Sequence, residues 1–169
     1  SGSGSIAAAG IAPIIGNSPM GSYNTYAFKG HISNFRLVKG TAVYTSNFTP
    51  PTSALTAITN TKLLTCQSNR FIDNSASAHT LTAIQTPKVS AFTPILTSEV
   101  YASGTNGAST YFDQTSASYL TASDATDFDF GTGDYTVEMW AYPDAGFNTS
   151  WAMAFSTTGV NQYWAWTDG

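Results

Sequence analysis

The sequence predicts an all-β fold, an antiparallel β-sandwich or jelly roll, and three observations carry that expectation. No run of twelve residues keeps a 3.6-residue apolar period with helix formers. Short runs rich in β-branched and aromatic residues recur along the whole chain. Between them stand turn signals such as Gly16-Asn-Ser-Pro19, Gly104-Thr-Asn-Gly107 and Gly131-Thr-Gly-Asp134. Many short strands spaced in this way suit two packed sheets.

Strands are expected at Ala12–Ile15, Tyr26–Val38, Lys62–Cys66, Leu81–Ala83, Ser109–Phe112, Tyr119–Thr121, Tyr135–Tyr142, Trp151–Ser156 and Tyr163–Trp166. The clearest is Tyr135–Tyr142. Alternation puts Tyr135, Val137, Met139 and Ala141 on one face, which reads as core. Thr136, Glu138, Trp140 and Tyr142 take the other face, either lining a concave sugar-binding surface or packing beneath a loop. Pro50-Pro51 cannot continue a central strand, and the Ser/Thr/Ala-rich stretch up to Asn60 reads as a linker. The chain thus divides into unequal parts, 1–58 and 59–169.

Composition narrows the function classes. The chain is 42% hydrophobic, so it can bury a core across its 169 residues. Only 9% is charged, against about 25% in ordinary domains. A surface wetted by hydroxyls and amides suits an extracellular or virion particle. Residues 1–72 carry Lys29, Arg36, Lys39, Lys62 and Arg70 with no acid, whereas 73–169 hold all 10 acids and, of the cations, Lys88 alone. Five dispersed cations do not make a nucleic-acid footprint, so no nucleic-acid partner is expected. Such asymmetry better serves contact between neighbouring copies. No apolar run reaches the roughly 18–20 residues of a membrane span. Cys66 follows Leu63-Leu-Thr65 and reads as a small buried core residue.

Two segments, one centred on Gly30-His-Ile-Ser-Asn-Phe-Arg-Leu-Val-Lys-Gly40 and the other on Asp127-Phe-Asp-Phe-Gly-Thr-Gly-Asp-Tyr-Thr-Val-Glu-Met-Trp140, resemble parts of the concanavalin A-like/laminin-G-like family, common in phage tail-fibre and virion surface proteins. Gly30-His-Ile-Ser-Asn-Phe-Arg-Leu-Val-Lys-Gly40, Thr41-Ala-Val-Tyr44 and Phe48-Thr-Pro-Pro51 resemble the closing strand and exit of such a domain, with Pro13-Ile-Ile-Gly-Asn17 as the strand before it. Lys62-Leu-Leu-Thr-Cys-Gln67, Asp73-Asn-Ser75, Ser109-Thr-Tyr-Phe-Asp113, Tyr119-Leu120 and Asp127–Trp140 resemble the opening half. The order is inverted, the end preceding the beginning. Two organisations follow: a C-terminal part of one sandwich (1–58) and an N-terminal part of the next (59–169) in a tandem array, or one permuted domain. The family's middle strands, with their Trp-His pair, have no counterpart.

The resemblance implies a structural and adhesive module of an extracellular or virion fibre, binding a glycan or host surface. The alternatives are a purely architectural fibre protein without a glycan ligand, and a fragment of a secreted glycan-degrading enzyme. Expected partners are other copies or neighbouring domains of the same fibre and a cell-surface glycan. Candidate glycan-binding residues are Trp140, Tyr142, Trp151, Tyr163, Trp164 and Trp166, whose ring faces can stack on pyranose rings. The alternative is that Trp164 or Trp166 fills the sandwich core, since one face of an alternating strand turns inward. Asn161, Gln162 and Asp168 could bond sugar hydroxyls.

Catalysis is not expected. Retaining glycosidases need carboxylates about 5 Å apart, and the strand around Glu138 reads Val-Glu-Met-Trp-Ala, without alternating acids. Asp127 and Asp129 read as turn carboxylates bracketing buried Phe128 and Phe130. Neither His31 nor His79 lies in a nucleophile motif, and His31 reads as a structural surface residue. No cofactor is expected beyond a possible structural Ca²⁺, for which Asp124, Asp127, Asp129 and Asp134 are the candidate ligands.

Overall fold

A computed structural model describes residues 12–17, 27–95, 107–114, 118–123 and 126–144, and the backbone of 152–157 and 163–166. Ten strands are described: β1 (Pro13–Ile15), β2 (Gly30–Lys39), β3 (Thr61–Thr65), β4 (Leu81–Ile84), β5 (Lys88–Ser90), β6 (Ser109–Phe112), β7 (Tyr119–Ala122), β8 (Tyr135–Pro143), β9 (Ala152–Thr157) and β10 (Tyr163–Trp166). A short 3₁₀ turn covers Thr126–Phe128, and no α-helix occurs among the described residues. None of the described helices is long and apolar enough to cross a membrane. The all-β expectation holds: two antiparallel sheets pack on one another.

The first sheet runs β10-β9-β1-β7-β4. The second is built around β2. One edge of β2 pairs with β8 along its whole length, Gly30 opposite Pro143 and Lys39 opposite Tyr135. The other edge is shared end to end, β6 pairing with Gly30–Ile32 and β3 with Phe35–Val38. β5 then pairs with β6.

Strands from both parts of the chain interleave. β1 lies between β9 and β7, and β2 between β8 and the β6/β3 edge. The division at residue 58 therefore does not separate two sheets or two cores in this fold. Residues 13–39 supply the central strand of each sheet.

Alternation fills the space between the sheets. Leu120 and Ala122 of β7 face inward, as do Ile15, Ile32, Phe35, Leu37, Leu63, Phe112, Phe128 and Phe130. Tyr135, Val137, Met139 and Ala141 pack against this cluster, on the face the β8 pattern assigns to the core. Cys66 is buried with them. Gly16 shows how tightly this end is packed. Its backbone has φ of +91°, and a Cβ there would fall into the Phe112 ring.

The inward residues of β2 break step. Ile32 and Phe35 are three apart yet both face the core. A bulge reconciles them: Ser33 is opposite Trp140 while Arg36 is opposite Glu138, one residue more on β2 than on β8. Asn34 sits at the bulge with φ of +53°, a left-handed conformation that asparagine tolerates better than most side chains. Its amide donates to the Cys66 carbonyl at 3.0 Å.

Residues 41–60 correct the linker expectation. They form a strap pinned across the outer face of the second sheet. Thr136 Oγ1 accepts from the Val43 amide at 2.9 Å and donates to the Thr41 carbonyl at 3.1 Å. Asn34 Oδ1 accepts from the Leu55 amide at 2.8 Å, and Gln67 Nε2 donates to the Leu55 carbonyl at 2.7 Å. Arg36 Nη1 reaches the Thr56 carbonyl at 2.8 Å. Proline and small polar residues suit this course because the strap bonds through side chains of the sheet, not through a ladder of its own.

Candidate functional site: the outer face of the second sheet

Under the strap, Arg36 and Glu138 face each other across β2 and β8. Arg36 Nε donates to Glu138 Oε1 at 2.6 Å, Nη2 lies 2.5 Å from the same oxygen, and Tyr44 OH donates to Oε2 at 2.6 Å. Burial, followed by the Glu138 carboxylate, raises the pKa of the Tyr44 phenol. Thus Thr136 and Glu138, half of the outward row of β8, pack beneath a loop. Glu138 is committed to an ion pair.

Beyond the strap the same face is open. The register sets Lys88, Tyr111, His31 and Tyr142 side by side across β5, β6, β2 and β8. Trp140, opposite Ser33, follows Tyr142 on the same face. Phe92, just past β5, lies over this row, its ring 4.7 Å from His31 and 5.1 Å from Tyr142. The His31 ring is 5.0 Å from Tyr111. Tyr142 is 58% and Phe92 45% exposed, while Trp140 is half-buried.

Polar groups fix the platform. Tyr111 OH donates to Asp144 Oδ2 at 3.1 Å, and the Asp144 amide donates to the Lys29 carbonyl at 3.0 Å. His31 Nδ1 and Ser109 Oγ share a hydrogen bond at 3.0 Å. Burial lowers the His31 pKa, with Asp144 pulling the other way, so the imidazole is neutral at neutral pH. Burial raises the Tyr111 pKa, helped by its bond to Asp144. Gly30, opening β2 with φ of +140°, lets the β8 backbone approach here, since a Cβ would strike the Tyr142 carbonyl.

The sequence candidates divide. Trp140 and Tyr142 share the open face. Tyr163, Trp164 and Trp166 lie in β10, at the edge of the other sheet, with a bulge between Trp164 and Ala165. Trp151 lies outside the described residues, as do Asn161, Gln162, Asp168 and Glu99. His31, Phe92, Tyr111 and Asp144 join the face without having been singled out as ligand-binding residues. Outward alternation in β6 marks Tyr111, but only the cross-strand register brings it to His31.

The described acids of the turn make contacts within the fold. Asp127 Oδ1 pairs with Lys62 Nζ at 2.9 Å, and its Oδ2 accepts from Ser77 Oγ at 2.8 Å. His79 Nε2 is 3.3 Å from Oδ2, within ion-pair range but off the line of a hydrogen bond, so it attracts as a charge only when protonated. Burial pushes the Asp127 pKa up, but Lys62, Ser77 and His79 outweigh it and leave it lowered. Asp129 Oδ1 accepts from the Gly131 amide at 3.2 Å, closing the turn. Asp134 presents its backbone carbonyl to the Gly40 amide. Asp124 lies outside the described residues. Among the described residues no group of three or more His, Cys, Asp or Glu is placed to hold a metal ion. Phe128 and Phe130 are buried between these acids, as expected.

No protein-family model, curated protein or solved structure matches the chain. Its chemistry is therefore read from this face.

Proposed function

We propose that the chain is a structural and adhesive module of an extracellular or virion fibre, similar to concanavalin A-like/laminin-G-like sandwiches, that binds a glycan through the outer face of its second sheet. The observation that carries this reading is the exposure of Phe92 and Tyr142 in one aromatic strip with His31 and Tyr111. Large rings held at the surface lose little rotamer freedom on binding and offer flat apolar faces to the C–H side of a sugar. Asp144 and Trp140 supply polar groups around them for hydroxyls.

A glycan array probed with the wild-type chain and with the Phe92→Ala/Tyr142→Ala double variant tests the proposal. Both side chains are exposed, so the variant is expected to melt within a few degrees of wild type. Array binding by wild type that is lost in the variant supports the site. Binding that survives moves the site elsewhere, with Trp151, Trp164 and Trp166 next in line. No binding by the wild type favours the purely architectural reading. One observation speaks for that second reading: all of β8, including its core-facing Tyr135, Val137, Met139 and Ala141, stays short of full burial, leaving apolar surface for a neighbouring domain to cover.

A further inference from the structure

We infer that the saccharide taken by this face carries a cationic group, a ring ammonium or an attached quaternary ammonium, seated against Phe92, Tyr142 and Asp144. The inference rests on the glycan reading of the face and names the class of glycan. Its first ground is the rings themselves. Phe92, Tyr142, His31 and Tyr111 form a continuous strip with centroids 4.7 to 5.1 Å apart, and the π face of each presents negative potential to a cation.

The second ground is Asp144. Its carboxylate receives the Tyr111 hydroxyl, and among the described residues the ion pairs are Arg36–Glu138, Lys62–Asp127 and His79–Asp127, none of which involves it. Lys88 ends the row on the far side of Tyr111 and makes no ion pair with Asp144 among those residues. Lys29, whose carbonyl receives the Asp144 amide, likewise makes no ion pair with Asp144 among those residues. A neutral sugar can bond the carboxylate through its hydroxyls but leaves its charge uncompensated, and an anionic sugar would be repelled. An ammonium group satisfies both the carboxylate and the rings.

Isothermal titration in mildly acidic buffer, where sugar amines are protonated, compares the hexamer of glucosamine with the hexamer of N-acetylglucosamine. The expected result is about a tenfold preference for the glucosamine hexamer, reduced to about twofold in Asp144→Asn. Asp134→Asn, which removes the same charge on another turn, is expected to keep the preference and so excludes a general pull from the acidic chain. Equal or tighter binding of the N-acetylated hexamer overturns the inference and leaves the glycan reading standing, as does a preference unchanged in Asp144→Asn. If neither hexamer binds and the array is blank, the glycan reading falls. Tetramethylammonium chloride, followed by NMR, then decides the cation site. Shifts that vanish in Phe92→Ala/Tyr142→Ala retain that site, and no shifts in wild type overturn it.

Discussion

Removing both partners of the Arg36–Glu138 pair should cost no more than removing either one alone. The side chains are 7% and 13% exposed, so neither charge can turn to water when its partner is lost. Glu138→Leu leaves the Arg36 guanidinium with the Thr56 carbonyl alone and strips Tyr44 of its acceptor. Arg36→Met leaves the Glu138 carboxylate with the Tyr44 hydroxyl alone. Each single change should cost about 3 kcal/mol, the low end for breaking a buried pair, because the pair lies under a strap and not in the central core. Replacing both removes the uncompensated charge as well, and the double variant should also cost about 3 kcal/mol, a coupling of about 3 kcal/mol. The assay is urea unfolding. With m of about 2 kcal/mol/M, each single variant should move the midpoint down by roughly 1.5 M, and the double no further. Limited proteolysis gives a second readout, since losing Arg36 or Glu138 loosens the strap and should expose cleavage between residues 45 and 50. Single costs below about 1 kcal/mol that simply add would refute the reasoning, showing that the strap is not anchored by this pair.

Two further outcomes follow from the titrating groups. Burial pushes the Cys66 thiol up to about 11, so an alkylating reagent at neutral pH should leave it unmodified in the folded chain and label it fully in urea; rapid labelling without denaturant would contradict its place in the core. The lowered pKa of Asp127 makes it a source of stability that is present above the ordinary aspartate range, roughly pH 4, and is lost as pH falls through its folded value. Melting temperature followed down the acid limb should therefore fall less steeply for Asp127→Asn than for wild type, and identical slopes would remove Asp127 from the account.

Much of the fold could be read along the chain because alternation is a local signal. Leu120 and Ala122 in β7 and the Tyr135–Ala141 row in β8 declare their inward face without knowledge of any partner. β5 escaped because three residues after Pro87 give too short a pattern, and it exists by pairing with β6. The strap was misread for a related reason: prolines and small polar residues describe a chain that makes no ladder, and its anchors, Asn34, Arg36 and Gln67, are on other segments. The candidate face was half legible. Trp140 and Tyr142 follow from strand phase, but Phe92 sits on a loop, and Tyr111 meets His31 only through register between residues 80 apart in number. That register is set by long-range packing.

The bulge at Asn34 ties these features together. Before it, His31 and Ser33 point outward and Ile32 inward; after it, Arg36 and Val38 point outward and Phe35 and Leu37 inward. Without the extra residue, a continuous alternation with His31 outward would turn Phe35 and Leu37 outward as well and drive Arg36 into the space between the sheets, where its charge would have no carboxylate. The phase change falls where the outer face changes character. On one side the outward residues hold the strap through Arg36, and on the other they lie open among aromatic rings. Asn34 also serves the strap directly, through its bond to the Leu55 amide. The segment Ile32-Ser-Asn-Phe-Arg-Leu-Val38 is thus two strand patterns offset by one position. It is that offset, set by a single buried asparagine, that lets one strand carry both a covered half and an exposed half without surrendering its place in the core.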